Sequence, residues 1–147
     1  MSNPYDKKKP DQPSGINQYR KTDIMTASKE TILLMLYGGA MRFLKRAIEF
    51  AEKKDNPERN RYILRTQEII NELRSTLNFE LGGEIAQNLD GLYSYITKRL
   101  SETMLENKNE YLEECLKILV TLNEGWEQAA EQQKRERERA RTAESEK

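Results

Sequence analysis

Apolar side chains recur at intervals of three and four through most of the chain, the spacing that places them on one face of a helix. The pattern predicts four helices. Over about Lys29 to Lys54 the stripe is Leu33, Leu36, Tyr37, Ala40, Leu44, Ala47 and Ile48, with Ser28 placed to cap its start. Asp55 and Asn56 interrupt it, and Pro57 suits the first turn of a second helix, where a missing N–H is no loss. Ile63, Thr66, Ile70, Leu73 and Leu77 carry that helix to the Gly82–Gly83 turn. Ile85, Leu89, Leu92, Ile96, Leu100 and Thr103 mark a third. After "ENKN", Leu112, Cys115, Leu116, Leu119, Leu122 and Trp126 mark a fourth. Short connections favour antiparallel neighbours, so the expected fold is all-α, an up-and-down four-helix bundle. No sustained alternation and no Asn-Gly or Asp-Gly hairpin signal argues for strands.

The ends differ from the middle. Residues 1–27 form a polar, proline-containing arm too poor in apolar side chains to fold alone, in which Ile16 and Tyr19 stand out. Residues 131–147 alternate in charge and offer no apolar face, so they are expected as a solvated helix extension or a disordered tail. The bundle proper is assigned to residues 28–130. A chain of 147 residues has room for one such domain.

Charge and chemistry remove several classes of function. Lysine plus arginine equals aspartate plus glutamate at 25 each, so no global field recruits nucleic acid or an anionic membrane. There is no histidine, which excludes Ser-His-Asp and Cys-His nucleophiles and the Glu-x-x-His pairs of di-iron bundles. A single cysteine, Cys115, makes neither an internal disulfide nor a thiolate zinc site. It reads as a small core hydrophobe. "YGGA" at Tyr37 reads as a close helix contact and "LGGE" at Leu81 as a turn, since neither glycine pair follows a strand or continues as a phosphate loop. Glu80 and Glu84 read as solvated helix ends. No catalytic residue, metal or cofactor is expected, and neither a signal peptide nor a spanning segment is apparent, which points to the cytoplasm.

The helices nevertheless carry more apolar surface than one core face needs. Ile32, Met35, Phe43 and Phe50 form a second stripe on the first helix; Tyr62 and Ile69 widen the second, and Tyr93 and Tyr95 the third. Some of these are expected at the rim of the core with wet hydroxyls, and the rest as an exposed groove for a helical partner or a second copy. With Leu89, Leu92 and Ile96 on the inner stripe, Asn88 and Tyr95 fall about one row away, where they can touch a bound helix. A small-molecule pocket lined by Tyr93, Tyr95 and Trp126 is a further alternative.

The segments "GINQY", "TAS" before "LLMLYGGAMRFL", "GGEIAQNLDGLYSYITKRL" and "CLKILVTLNEGW" together resemble the FliS family of flagellar secretion chaperones, over about Gly15 to Trp126. "GGEIAQNL" followed by "LYSYI" is the most specific part, and Gly38 stands where the family commonly has an acidic residue. The resemblance implies a cytoplasmic export chaperone that binds the C-terminal segment of flagellin, prevents its premature polymerisation and keeps it competent for type III export. The export apparatus is implied as a further partner. On that reading Ile16, Tyr19, Asn88, Leu92 and Tyr95 are the expected flagellin-binding residues, Asn88 and Tyr95 from their place beside the inner stripe of the third helix, and Ile16 and Tyr19, which the family matches with an isoleucine and a tyrosine, either covering the client groove, packing on the client, or stapling the arm to the bundle. The competing reading of the same stripes is a self-associating bundle, a homodimer without a flagellin client.

Overall fold

The structure, a computed structural model, describes residues 29–146. The chain divides into two units, Met1–Ile32 and Leu33–Lys147, and the bundle belongs to the second. Among the described residues the elements are α1 (Lys29–Glu52), α2 (Asn56–Ser75), α3 (Phe79–Glu106) and α4 (Glu110–Ser145). There is no strand among them.

Cross-helix contacts fix the direction of each neighbour. Gly39 faces Ile69 and Phe50 stacks on Tyr62, so α1 and α2 run antiparallel. Arg59 bonds Asn107 while Arg74 pairs with Asp90, which does the same for α2 and α3. The Cys115 thiol reaches the Ile96 carbonyl and Thr103 Oγ1 reaches the Lys108 carbonyl, which sets α3 against α4. The "YGGA" reading holds: a Cβ on buried Gly39 would lie 3.1 Å from Ile69 Cδ1, so glycine lets α1 and α2 approach closely there.

The helix boundaries have local causes. Asp55 caps α2 by accepting from Glu58 N at 3.2 Å, with proline in the first turn. Asn78 accepts from the amides of both Glu80 and Leu81 at 3.1 Å. At the far end of α3, Asn107 takes the left-handed conformation (φ 56°) and closes the helix onto the Thr103 carbonyl. Two boundaries differ from expectation. α2 ends at Ser75, short of the glycine pair, and α3 begins at Phe79 rather than near Ile85. Its first turn is set off from the rest by Gly83, whose φ of 50° and ψ of −122° belong to no helix. The "LGGE" turn is therefore a kink inside an element.

The core is Tyr37, Ala40, Leu44 and Ala47 from α1, Ile63, Ile70 and Leu73 from α2, Tyr93, Ile96 and Leu100 from α3, and Leu112, Cys115 and Leu119 from α4. Three of the expected stripes match it. In α3 the phase differs: Ala86, Leu89, Tyr93, Ile96, Leu100 and Thr103 face inward, while Ile85 and Leu92 face out. Tyr93 is thus a core residue, not a rim one. Its hydroxyl meets that of Tyr37 at 2.5 Å inside the bundle, a partner that makes burial of a phenol affordable. The expected cap Ser28 lies outside the described residues.

α4 is the longest element, 36 residues or roughly 54 Å. Its last buried residue is Leu119, and from Glu131 to Glu146 every side chain is exposed. The charged end thus continues as a solvated helix to Ser145.

Candidate functional site

The kink at Gly83 shapes an open apolar groove on the bundle. Because the first turn of α3 leaves the axis of the rest, Leu81 does not continue the inner stripe and stands 88% exposed. Between that turn and the bundle lies a groove of about 340 Å³, walled by Leu77, Leu81 and Ile85 and floored by Leu89, Tyr93 and Trp126. Leu33 and Ala86 complete its apolar lining.

From this groove an exposed row runs along α3. Ile85, Asn88, Leu92 and Tyr95 are spaced three, four and three, which keeps them on one face over roughly 15 Å. Ile85 is 69% exposed, Leu92 36% and Tyr95 37%. The structure therefore brings the expected Asn88, Leu92 and Tyr95 into a single row, with Leu92 between the other two instead of beneath them. Ile16 and Tyr19 lie outside the described residues. Tyr93 and Trp126 meet at the groove floor, but Tyr95 is not among its lining residues, so the three-residue pocket does not form.

Tyr95 is held in a fixed pose. Its hydroxyl donates to Glu114 Oε1 on α4 and accepts from Arg99 Nε at 2.9 Å. Arg99 also bonds Glu102 at 3.1 Å and lies 4.1 Å over the ring of Tyr111. The bond to Tyr95, with Glu102 and Glu114 adding to it, holds the guanidinium above its ordinary range and permanently charged. A tyrosine locked this way offers its ring to a neighbour at little further cost in side-chain entropy. Asn88 is exposed, and an asparagine among apolar neighbours can bond the backbone of a docked helix end.

The groove floor is neutral. Burial raises the pKa of both Tyr37 and Tyr93, so both phenols keep their protons at physiological pH. Trp126 opposes the rise at Tyr37, yet its indole N–H makes no hydrogen bond of ordinary geometry. Cys115 is buried and its thiol is pushed up to about 12 by burial, then by Glu114, with Arg99 opposing, so it is no nucleophile at neutral pH. Among the described residues no cluster of three or more His, Cys, Asp or Glu could hold a metal ion.

Leu81 and Ile85 were not legible as surface. Their only signal is their position on either side of a glycine pair, which permits a kink without stating one.

An apolar groove running into an exposed row on a helical bundle is surface of the kind that accepts side chains of another chain. Comparison with known proteins gives the family. The family described as "Flagellar protein FliS" matches residues 12–133, and the chain belongs to that family. The chain is 36% identical to the flagellar secretion chaperone FliS of Salmonella typhimurium, over 78% of this chain and 89% of the relative. It is 34% identical to that of Campylobacter jejuni, over 75% and 86%, and 28% identical to that of Bacillus subtilis, over 81% and 88%. A solved flagellar chaperone from bacteria shares the fold with a TM-score of 0.68 at 18% identity, covering 81% of this chain and 97% of the other. These are chaperones and not enzymes.

Proposed function

We propose that this protein is a cytoplasmic export chaperone that holds the C-terminal helical segment of flagellin, prevents its premature polymerisation and keeps it fit for flagellar type III secretion. Family membership supports the class, and the observation that carries the reading is the row Ile85–Asn88–Leu92–Tyr95 opening into the groove at Gly83. An amphipathic segment that folds on binding needs such a track for anchors at i, i+3, i+4 and i+7. Leu92 and Tyr95 supply apolar contact and Asn88 a polar one. No helix among the described residues is long and apolar enough to cross a membrane. Ile16 and Tyr19 remain client-binding candidates on the family resemblance alone, and the export apparatus is the proposed second partner.

The test is titration of a flagellin C-terminal segment against Asn88→Ala, Leu92→Ala and Tyr95→Ala combined. Fully burying one leucine is worth about 1.5 to 3 kcal/mol, and part of each side chain is already covered, so a loss of at least tenfold in affinity is expected. Circular dichroism and urea midpoint serve as controls. Unchanged affinity in a folded variant removes the row from the site.

A further inference from the structure

The seam between α1 and α2 carries a surface of different character. Phe43 and Phe50, one above the other on α1, meet Tyr62 of α2, with Phe50 stacked on Tyr62 at 5.6 Å and 13° and Phe43 tilted against it at 6.0 Å. All three rings are half-buried. Cations surround them. Arg46 lies 5.2 Å over Phe50, Lys53 lies 5.5 Å over the same ring, and Arg65 lies 5.7 Å over Phe43 and 5.6 Å over Tyr62. Arg46 has Glu49 at 2.7 Å, but among the described residues neither Lys53 nor Arg65 has a carboxylate within ion-pair distance.

We propose that this basic, ring-supported seam binds an acidic peptide segment of a partner protein, at a site separate from the row on α3. Charge complementarity selects the occupant. Residues 29–76 carry ten Lys and Arg against seven Asp and Glu, whereas 77–146 carry nine against fifteen, so positive charge is concentrated on the hairpin that bears the seam. Guanidinium groups resting on aromatic faces have lost much of their freedom before binding and present their edges to carboxylates. A short acidic segment fits this better than a nucleic acid. The ring faces are taken up by one another and by the cations, leaving none for a base to stack on, and the acidic second hairpin repels a long polyanion.

The experiment uses the full chain and fluorescence anisotropy with two labelled probes, a twelve-residue peptide of alternating Glu and Ala and a twelve-residue oligo-dT, at low and at physiological salt. Saturable peptide binding is expected. It should weaken about tenfold in Lys53→Gln with Arg65→Gln, the loss of two charge contacts at the surface, and stay unchanged in Lys98→Gln with Lys117→Gln on the other hairpin. Both variants should keep the helical spectrum and the affinity for the flagellin segment of the unaltered protein. Absence of peptide binding, an equal loss in both variants, or tighter binding of the oligo-dT overturns the proposal. None of these outcomes bears on the α3 row, because the assay contains no flagellin until the final control.

Discussion

The Tyr37 and Tyr93 hydroxyls meet among apolar core side chains, joining α1 to α3 across 56 positions of sequence. Tyr93→Phe leaves the Tyr37 hydroxyl buried without that partner, and a loss of about 1 to 3 kcal/mol is expected from urea midpoints. Tyr37→Phe with Tyr93→Phe should recover most of it, since two apolar rings leave nothing unsatisfied. If the double variant is as unstable as the sum of the singles, the two hydroxyls are not coupled. Cys115 gives the pH dependence. Its thiol titrates near 9.0 when unperturbed and near 12 in the fold, so between these values the native state holds a proton that the unfolded chain has released. Stability therefore falls as pH rises above 9, by about 1.4 kcal/mol per unit. Both buried tyrosines act in the same direction above pH 10. Cys115→Ala should flatten the fall between pH 9 and 10, and an unaltered slope there would assign it to other groups.

At the scale of the element, α3 is where local sequence and tertiary position part. Gly83 sits at a φ of 50° and ψ of −122°, a conformation that a side chain resists, although a Cβ there would meet nothing within 4 Å. Gly83→Ala is thus strained by backbone alone and should cost about 1 to 3 kcal/mol. A straightened kink would also swing Leu81 and close the groove, so flagellin affinity should drop further than for an exposed substitution of equal instability elsewhere. Gly82→Ala acts by contact instead, its Cβ falling 2.9 Å from that of Ala86. Thermal melts with parallel binding curves separate backbone strain from loss of the groove: G83A with normal melting would show that the kink forms without glycine. The charged end of α4 needs no such device. Glu131 pairs with Arg135 at 3.6 Å and Gln132 bonds Glu136 at 3.5 Å, pairs one turn apart that support an exposed helix without a core.

For the molecule as a whole, the client reading and the self-association reading differ in what stabilises the bundle. A flagellin segment at a hundredfold its Kd should add about 2.7 kcal/mol to the stability of a monomer, whatever the protein concentration. A homodimer built on the α3 row would instead show a Tm that rises with its own concentration and ignores flagellin. Differential scanning at two protein concentrations, with and without the segment, decides between them.

Much of this was already present in the order of residues. Tyr37, Ala40, Leu44 and Ala47, then Ile63, Thr66, Ile70 and Leu73, then Leu112, Cys115 and Leu119 all fall inside as their spacing requires, because in each helix one phase holds clearly more apolar area than its rivals. Asp55, Pro57 and Asn107 bound their helices through interactions within a few residues, which sequence carries directly. The absence of histidine and the lone cysteine were equally plain. In α3, however, two phases share Leu89, Ile96, Leu100 and Thr103 and differ in whether Leu92 or Tyr93 turns inward. Hydrophobicity favours the leucine. Tertiary structure chose the tyrosine, because Tyr37 supplies from another helix the hydrogen bond that its hydroxyl needs, and the same rotation carries Leu92 and Ile85 out to solvent beside Asn88 and Tyr95. The exposed row on α3 therefore depends on a long-range polar contact, and no local pattern encodes the partner of a buried hydroxyl.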